Sequence, residues 1–225
     1  MIEAVLFDFD GVIANTLIYH ARAWQIVFRP YHIKITPEDI AIEEGAKALE
    51  IAHKIVEKKK LGLSSEKTQQ LTDEKHRLYP QITKASIYPE IKDFIKKLKL
   101  KPLKLGLVTG SITSAMQTVV GKNFFQNFQV VITSDDVKKC KPDPESYLVA
   151  ANKLQIPPTN CLVIENAPLG IRAAKSAGMI CAAVRTTIQN DHLLKNADLI
   201  VNNVSEINID SILKASTHLK SFVYL

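Results

Sequence analysis

Apolar residues follow two patterns along the chain: short uninterrupted runs, and segments in which they recur every three or four positions. Residues 4–7 read AVLF, a run that predicts a strand buried on both faces of a sheet. From residue 88 onward, such runs alternate with helical segments, which predicts a parallel sheet covered by helices on both faces. The further predicted strands lie at residues 103–108, 130–133, 161–165, 180–184 and 199–201. The helices are predicted near residues 91–98, 112–121, 144–154, 168–177 and 209–219.

The stretch from about residue 15 to residue 83 has a helical pattern and contains no strand-like run. Because the first strand belongs to the same sheet as the later ones, this block is predicted to be an insertion that covers the sheet edge. The chain is therefore divided into an α/β core of residues 1–14 and 84–225 and a helical cap of residues 15–83. The fold class that follows is a doubly wound, Rossmann-like parallel sheet with an inserted α-helical cap domain.

Within the cap, local signals indicate where the helices begin and end. Thr16 precedes a stretch with apolar residues at helical spacing, and Thr36 followed by Pro37 is a typical helix start. Gly45 is expected to interrupt the second helix. A third helix is predicted to begin at Ser65 and to stop where Pro80 follows Tyr79.

Two aspartates stand directly after the first predicted strand. Asp8 and Asp10 occupy the strand end where open α/β sheets place their ligands, and Gly11 permits the tight turn that follows. Two carboxylates so close repel each other, so they require a cation, a proton or a division of labour. Alternatively, both are turn-forming residues that cap nearby backbone amides.

The second and third predicted strands also end in polar groups. Thr109, Gly110 and Ser111 offer hydroxyls and backbone amides suited to phosphate oxygens, although the same triplet is common in plain turns. Lys141 is followed by Pro142, and the sequence KPDP fixes the backbone so that the ammonium group is aimed at one place. The alternative for Lys141 is a surface lysine in a rigid turn.

The fourth predicted strand ends in Glu165 and Asn166. A glutamate that closes an apolar strand is costly unless it is paired or bound to a metal. Mg²⁺ usually takes one or two carboxylates, carbonyl oxygens and water. Asp8, the backbone carbonyl of Asp10 and Glu165 would supply that set.

Four segments, DFDGV, VTGS, KPDP and IENAPLGIRAAKSAGM, resemble in order and spacing the four motifs of the haloacid dehalogenase superfamily. The resemblance covers nearly the whole core and implies a phosphoryl-transfer enzyme. It implies Asp8 as nucleophile, Asp10 as general acid and base, Thr109, Gly110 and Ser111 on phosphate, and Lys141 as a neutralising charge.

The resemblance also implies a Mg²⁺ cofactor, bound by Asp8, Asp10, Glu165 and Asn166. One departure concerns Asn166, because many members carry a second acid at this position. An asparagine binds through its carbonyl or through water and brings no charge, so we expect metal binding to survive in weakened form.

The cap resembles the β-phosphoglucomutase-like and phosphoglycolate phosphatase-like subgroup. Its first segment, NTLIYHARAW, places His20 where that subgroup has a histidine, although a lone helix histidine is more often structural or exposed. The stretch EEGAKALEIA carries Lys47 near the subgroup's arginine, and lysine is the weaker bidentate phosphate clamp. We expect His20 to face the active site and to contact substrate. Glu44 and Lys47 are also predicted to contact substrate, because the break at Gly45 would form a loop that points into the cleft.

The function expected from this resemblance is Mg²⁺-dependent hydrolysis of a small phosphate monoester, such as a sugar phosphate or phosphoglycolate, through an aspartyl-phosphate. A phosphosugar mutase is the alternative within the family. A non-catalytic binding protein on the same scaffold is the alternative from another class.

Composition narrows the partners further. The 225 residues are 46% hydrophobic and 23% charged, as in ordinary soluble enzymes, and no run approaches the about 18 apolar residues of a membrane span. The net charge of +6 is spread along helical patterns, so we expect solvated helix faces and no nucleic-acid partner. Three separate cysteines fit reduced thiols in a cytoplasmic protein. We expect a monomer or weak dimer that binds a small phosphorylated metabolite.

Overall fold

The computed structural model describes residues 1–214, which are built around a six-stranded sheet. Every neighbouring pair of strands is parallel, and the spatial order is β3-β2-β1-β4-β5-β6. The strands are β1 (Ala4–Phe7), β2 (Lys104–Val108), β3 (Val130–Ile132), β4 (Cys161–Glu165), β5 (Ile180–Val184) and β6 (Leu199–Val201). This order confirms the predicted doubly wound fold.

Helices fill the connections between the strands. Four of them, all within residues 15–83, are α1 (Leu17–Val27), α2 (Pro37–Ala41), α3 (Ala48–Lys58) and α4 (Ser65–Ile82). The helices that follow are α5 (Ile91–Lys99), α6 (Thr113–Val120), α7 (Glu145–Leu154), α8 (Pro168–Ser176) and α9 (Asp191–Leu194). Residues 209–214 are also helical, and the rest of the helix predicted for 209–219 lies outside the described residues.

Alternate residues of β1 point to opposite faces of the sheet, and both faces are covered. Ala4 and Leu6 belong to the apolar cluster that includes α7 and α8. Val5 and Phe7 belong to the cluster that includes α5 and α6. An uninterrupted apolar run is therefore what this strand requires, because none of its side chains meets water.

The register of the sheet brings three strand ends together. Phe7 of β1 pairs with Leu107 of β2 and with Ile164 of β4, so the residues that follow each of them meet at one edge. The chain runs from β1 to β2 on one side and reaches β4 on the other, which makes this edge a topological switch point. Crevices at such points are the usual ligand sites of open α/β sheets.

The first four helices pack on one another over that edge. Helix α1 contacts α2 and α4, and α4 also contacts α3 and α6 of the other part of the chain. The predicted break at Gly45 is found between α2 and α3, where this glycine has a φ of +94°. The structure has helices and no strand within residues 15–83, while the division into core and cap domains stays a prediction.

The prediction that Pro80 ends the third cap helix is wrong, since α4 continues to Ile82. Proline removes one backbone donor and crowds the preceding turn, but only two residues of the helix follow it. Thr83 N–H donates to the Tyr79 carbonyl at 3.0 Å, which closes the final turn beyond the proline.

The other boundaries agree closely with the pattern of apolar runs. Strands β4, β5 and β6 have the predicted limits, whereas β2 begins one residue later and β3 ends one residue earlier than expected. The short helix α9 was not predicted; Asn190 caps it by accepting from the His192 backbone N–H at 3.0 Å. In the part of the chain that the structure describes, every helix is too short or too polar to cross a membrane.

Candidate active site

Asp8, Lys141 and Glu165 form a buried ion-pair network at the end of β1 and β4. The Lys141 Nζ donates to Asp8 Oδ1 at 2.5 Å and to Glu165 Oε1 at 2.7 Å. A third donation goes to the Val108 backbone carbonyl at 3.2 Å. All three side chains of the ion pairs are at most 5% exposed, so their charges interact with little screening from water.

Lys141 reaches this place through a constrained loop before α7. Its peptide bond to Pro142 is cis, and its ammonium lies 4.9 Å from the ring centre of Tyr147. Burial lowers the pKa of Lys141, but the charges of Asp8 and Glu165 outweigh it and hold the pKa above its usual range. Lys141 is therefore a permanent positive charge beside Asp8, and not the exposed turn lysine of the alternative reading.

Glu165 has donors on both of its carboxylate oxygens. Besides Lys141, the Tyr147 hydroxyl donates to Oε1 at 2.8 Å. The backbone N–H groups of Asn166 and Ala167 donate to Oε2 at 3.0 and 3.3 Å. The carboxylate of Glu165 is therefore held by four donors from the protein. Its predicted role as a metal ligand stays a prediction.

Burial raises the pKa of Asp8 well above its ordinary value, and the charges of Glu165 and Asp10 add to this effect. Lys141 opposes the rise without cancelling it. A carboxylate in this position needs further positive charge to remain an anion, which is a requirement that a bound divalent cation would meet.

Asp10 has a different environment from Asp8. The Ser111 hydroxyl donates to Asp10 Oδ2 at 2.6 Å and the Thr109 hydroxyl donates to the same oxygen at 3.3 Å. His20 Nε2 lies 3.2 Å from Asp10 Oδ1. Burial works against ionisation, but the hydrogen bonds from His20 and Ser111 outweigh it and lower the pKa of Asp10. The two aspartates thus differ in the protonation state that their surroundings favour.

His20 is joined on its other side to Lys75 of α4. The Lys75 Nζ lies 3.1 Å from His20 Nδ1, and an ammonium can only donate. Nδ1 is therefore the acceptor, which leaves Nε2–H to donate to Asp10. Burial and the nearby Lys75 charge both lower the pKa of His20, in agreement with this neutral tautomer.

Lys75 is a buried lysine that sequence reasoning missed. It is 6% exposed and lies against the rings of Trp24 and Tyr79, at 5.5 and 5.4 Å from their centres. Burial lowers its pKa to about 8. The signal was present in the sequence, because Lys75 falls on the same helical stripe as Leu71 and Tyr79.

Glycines allow the cap to approach the core at this site. A side chain at Gly45 would come within 2.6 Å of the Lys141 Cδ, and one at Gly110 would come within 2.3 Å of the Gly45 carbonyl oxygen. Any larger residue at either position would push the α2–α3 turn away from the Thr109–Ser111 segment after β2. Gly110 has a packing role in the structure, and its predicted contact with phosphate stays a prediction.

Of the two residues predicted to contact substrate beside Gly45, only one directs its charge inward. Glu44 is 7% exposed, and its Oε2 accepts from Asn166 Nδ2 at 2.8 Å and from the Thr187 hydroxyl at 3.1 Å. The Lys47 Nζ instead donates to the carbonyls of Val137 and Lys138 at 3.1 and 2.8 Å.

A cavity of about 290 Å³ lies between the cap and the strand ends. Asp10, His20, Glu44, Lys75 and Ser111 are among the residues that line it. Predicted site residues from the core and from the cap therefore line one space, which is large enough for a small phosphorylated molecule. The predicted residues that do not line it are Asp8, Thr109, Lys141, Glu165 and Asn166.

The residues at this edge fit a hard divalent cation. Within residues 1–214, no three His, Cys, Asp or Glu side chains are placed to hold a metal by themselves, so amide or backbone oxygens must take part. Asn166 Oδ1 is buried and has no hydrogen-bond partner, while its Nδ2 is occupied by Glu44 and Thr187. Together with Asp8 and the Asp10 carbonyl, this free oxygen gives the donor set that Mg²⁺ prefers.

Comparisons with known proteins identify the family of this chain. A family described as haloacid dehalogenase-like hydrolase matches residues 5–184. The chain is 30% identical over 217 residues to a β-phosphoglucomutase from Bacillus subtilis, with 92% of each chain covered. It is 31% identical over 186 residues to a fructose-1-phosphate phosphatase from Escherichia coli, covering 80% of this chain and 95% of the relative.

The crystal structure of a β-phosphoglucomutase from Clostridium difficile has the same fold, with a TM-score of 0.83 and 29% identity over 98% of this chain and 100% of that chain. The resemblance found in the four motifs is thus confirmed over most of the sequence, together with the expectation of an enzyme that acts on phosphate esters. The chain belongs to the haloacid dehalogenase-like hydrolase family.

Proposed function

We propose that this chain is a Mg²⁺-dependent phosphatase that hydrolyses a small sugar phosphate or similar monoester through an aspartyl-phosphate on Asp8. The observation that carries this proposal is that two neighbouring buried carboxylates, Asp8 and Asp10, have different partners. Asp8 faces the ammonium of Lys141, whereas Asp10 is held by Ser111, Thr109 and His20. Pairs of carboxylates with such different surroundings are typical of a nucleophile beside an acid and base.

In the first step, Asp8 Oδ attacks phosphorus, and the bond from phosphorus to the ester oxygen breaks. The departing oxygen takes a proton from Asp10. In the protein without substrate the pKa of Asp10 is low, and a phosphate anion beside it favours the protonated form. Lys141 offsets the negative charge that Asp8 and the phosphoryl oxygens bring together.

In the second step, Asp10 takes a proton from water, and the resulting oxygen attacks the phosphorus of the aspartyl-phosphate. The bond from phosphorus to Asp8 breaks, which releases inorganic phosphate and restores the carboxylate. His20 holds Asp10 in place through its Nε2–H in both steps, and Lys75 fixes the histidine tautomer. His20 is thus a positioning residue for the acid and base.

Mg²⁺, when bound, supplies positive charge to the phosphoryl oxygens and to Asp8. Asp8, the Asp10 backbone carbonyl and Asn166 Oδ1 would hold it. Glu165 would orient Lys141 and carry part of the charge balance from a fully hydrogen-bonded position.

Hydrolysis is favoured over phosphate exchange by the charges on the cap. A mutase must hold a second phosphate, but Lys47 is engaged by two backbone carbonyls and Glu44 presents a carboxylate to the cavity. A mutase remains the second candidate, because Lys75 is a cap cation next to the cavity and a β-phosphoglucomutase is among the similar proteins.

The test is phosphate release with and without Mg²⁺ from a panel of sugar 1-phosphates, sugar 6-phosphates, phosphoglycolate and nucleotides. We expect release that requires Mg²⁺, is abolished by EDTA and is fastest with a small sugar phosphate. Conversion of a sugar 1-phosphate into its 6-phosphate isomer would establish the mutase instead. No turnover of any ester, with Mg²⁺ bound, would favour the non-catalytic binding protein.

A further inference from the structure

The buried charged side chains of residues 1–214 all lie around the active site. They are Asp8, Asp10, Glu44, Lys75, Lys141 and Glu165. Four carboxylates therefore face two ammonium groups in a region with little water, and ionised they leave a deficit of two positive charges. A divalent cation would remove that deficit.

Glu44 is the carboxylate in this set that the phosphatase mechanism does not use. It comes from the turn between α2 and α3, outside the motif segments, and its Oε2 is bound to Asn166 and Thr187. Its other oxygen, Oε1, is buried and has no hydrogen-bond partner. A buried carboxylate oxygen without a donor is destabilising, so its presence calls for a ligand.

Two neighbouring side chains here each have a buried oxygen without a hydrogen-bond partner. Asn166 Oδ1 and Glu44 Oε1 belong to side chains that hydrogen-bond to each other at 2.8 Å, and neither atom has a donor. Asn166 also lies against the Gly11 backbone, since a Cβ at Gly11 would come within 2.2 Å of Asn166 Nδ2. The Asn166 amide is thus next to the Asp10–Gly11 turn, where the cation is expected, and Glu44 is hydrogen-bonded to that amide.

We propose that Glu44 completes the divalent-cation site from the cap, and that it supplies the negative charge that Asn166 lacks. This inference rests on the proposed function for the existence of the site but goes beyond it in assigning an acid from the cap. Binding of the cation then joins Glu44 on the cap to Asp8 and Asn166 on the core. Cap closure and cation binding must therefore favour each other.

The test moves the carboxylate from position 44 to position 166 by substitution and measures cation binding without substrate. The metal-free protein is titrated calorimetrically with Mn²⁺ as a probe for Mg²⁺. We expect Glu44→Gln to weaken Mn²⁺ binding by about 10- to 100-fold. Asn166→Asp should strengthen it by a similar factor, since both carboxylates are then present. The double variant Glu44→Gln with Asn166→Asp should return to within a few-fold of the unchanged protein, because one carboxylate has replaced the other.

The matched control is Glu43→Gln, which removes a neighbouring glutamate whose partner is the exposed Lys54. We expect its Mn²⁺ affinity to equal that of the unchanged protein. Metal-free Glu44→Gln should also melt at a higher temperature than the unchanged protein and gain less from added Mg²⁺, because a buried unpartnered charge has been removed.

Equal Mn²⁺ affinities for Glu44→Gln and Glu43→Gln would overturn the assignment, as would failure of the unchanged protein to bind Mn²⁺ at millimolar concentrations. Failure to bind Mn²⁺ would count against both proposals, whereas equal affinities of the two variants would count against the Glu44 assignment alone. If the protein releases phosphate but Glu44→Gln has an unaltered Mn²⁺ affinity, the proposed function holds and the Glu44 assignment is wrong. If Glu44→Gln binds Mn²⁺ more weakly but no ester is turned over, the Glu44 assignment holds and the proposed function is wrong.

Discussion

The core half and the cap half of the active site each contain one buried lysine, and the two have opposite surroundings. Lys141 lies between two carboxylates, which raise its pKa. Lys75 lies against two aromatic rings and a neutral histidine, and burial lowers its pKa to about 8. The lysine of the core half thus stays charged, whereas the lysine of the cap half has a pKa close to neutral pH and loses its charge easily.

The difference follows from what each half must do. In the proposed mechanism, the core half brings an anionic nucleophile to an anionic phosphate and needs permanent positive charge there. In the same mechanism, the cap half would hold Asp10 in position through His20 without a strong ion pair that would prevent proton transfer. Asp10 connects the two, since it lies on the core and accepts from His20 of the cap.

The largest effect is expected where the core half loses its nucleophile. Asp8→Asn should lower kcat for phosphate release by on the order of 10⁴-fold or more, because the amide cannot form the aspartyl-phosphate. Steady-state kinetics with the best ester of the panel measures this, and circular dichroism checks that the fold is retained. The exposed Asp93→Asn is the control. Full activity of Asp8→Asn would refute the nucleophile assignment.

The two lysines should respond very differently to the same substitution. Lys141→Met leaves Asp8 and Glu165 buried and unpaired, so we expect a loss of about 3–5 kcal/mol in the free energy of unfolding. Lys75→Met removes a buried charge with no carboxylate bonded to it, so at pH 7.5 we expect no loss of stability and a gain of up to about 3 kcal/mol. Urea denaturation at pH 7.5 compares them. Equal losses would contradict the contrast between the two halves.

The contribution of Lys75 can be measured from the pH dependence of the free energy of unfolding. Its pKa falls from 10.5 in the unfolded chain to about 8 in the fold, so the unfolded chain holds more protons between these values. The unchanged protein should therefore gain stability relative to Lys75→Met as the pH rises from about 8 to about 10.5, by at most about 3 kcal/mol. Urea denaturation of both proteins across this range measures the difference, and a constant difference would contradict it.

The smallest effect is expected at Lys47, the cap lysine that is turned away from the cavity centre. Lys47→Gln should lower the free energy of unfolding by about 1 kcal/mol, because its ammonium bonds only to two backbone carbonyls near the surface. Substrate preference should stay the same across the ester panel. A changed preference would support the original expectation that Lys47 contacts substrate.

The sequence by itself determined the sheet and the core half of the site. Runs such as CLVIE and ICAAV need burial on both faces, and only a parallel sheet between helix layers provides it. The carboxyl ends of such strands meet at one edge, so Asp8, Thr109 and Glu165 had to be neighbours once the strands were placed. Lys141 was identified through the resemblance of KPDP to a family motif, because the prolines alone are equally typical of a rigid surface turn.

Only the tertiary structure decided the partners of these residues across the cap. The bonds from Lys75 to His20 and from Glu44 to Asn166 join positions 55 and 122 residues apart. Tyr147, the donor to Glu165, looks from the sequence like any aromatic residue on the buried face of a helix. A helical period tells which face is buried but not what it is buried against. The partners depend on how helices α1, α2, α3 and α4 pack over the strand ends. A pattern within one segment carries no information about that packing.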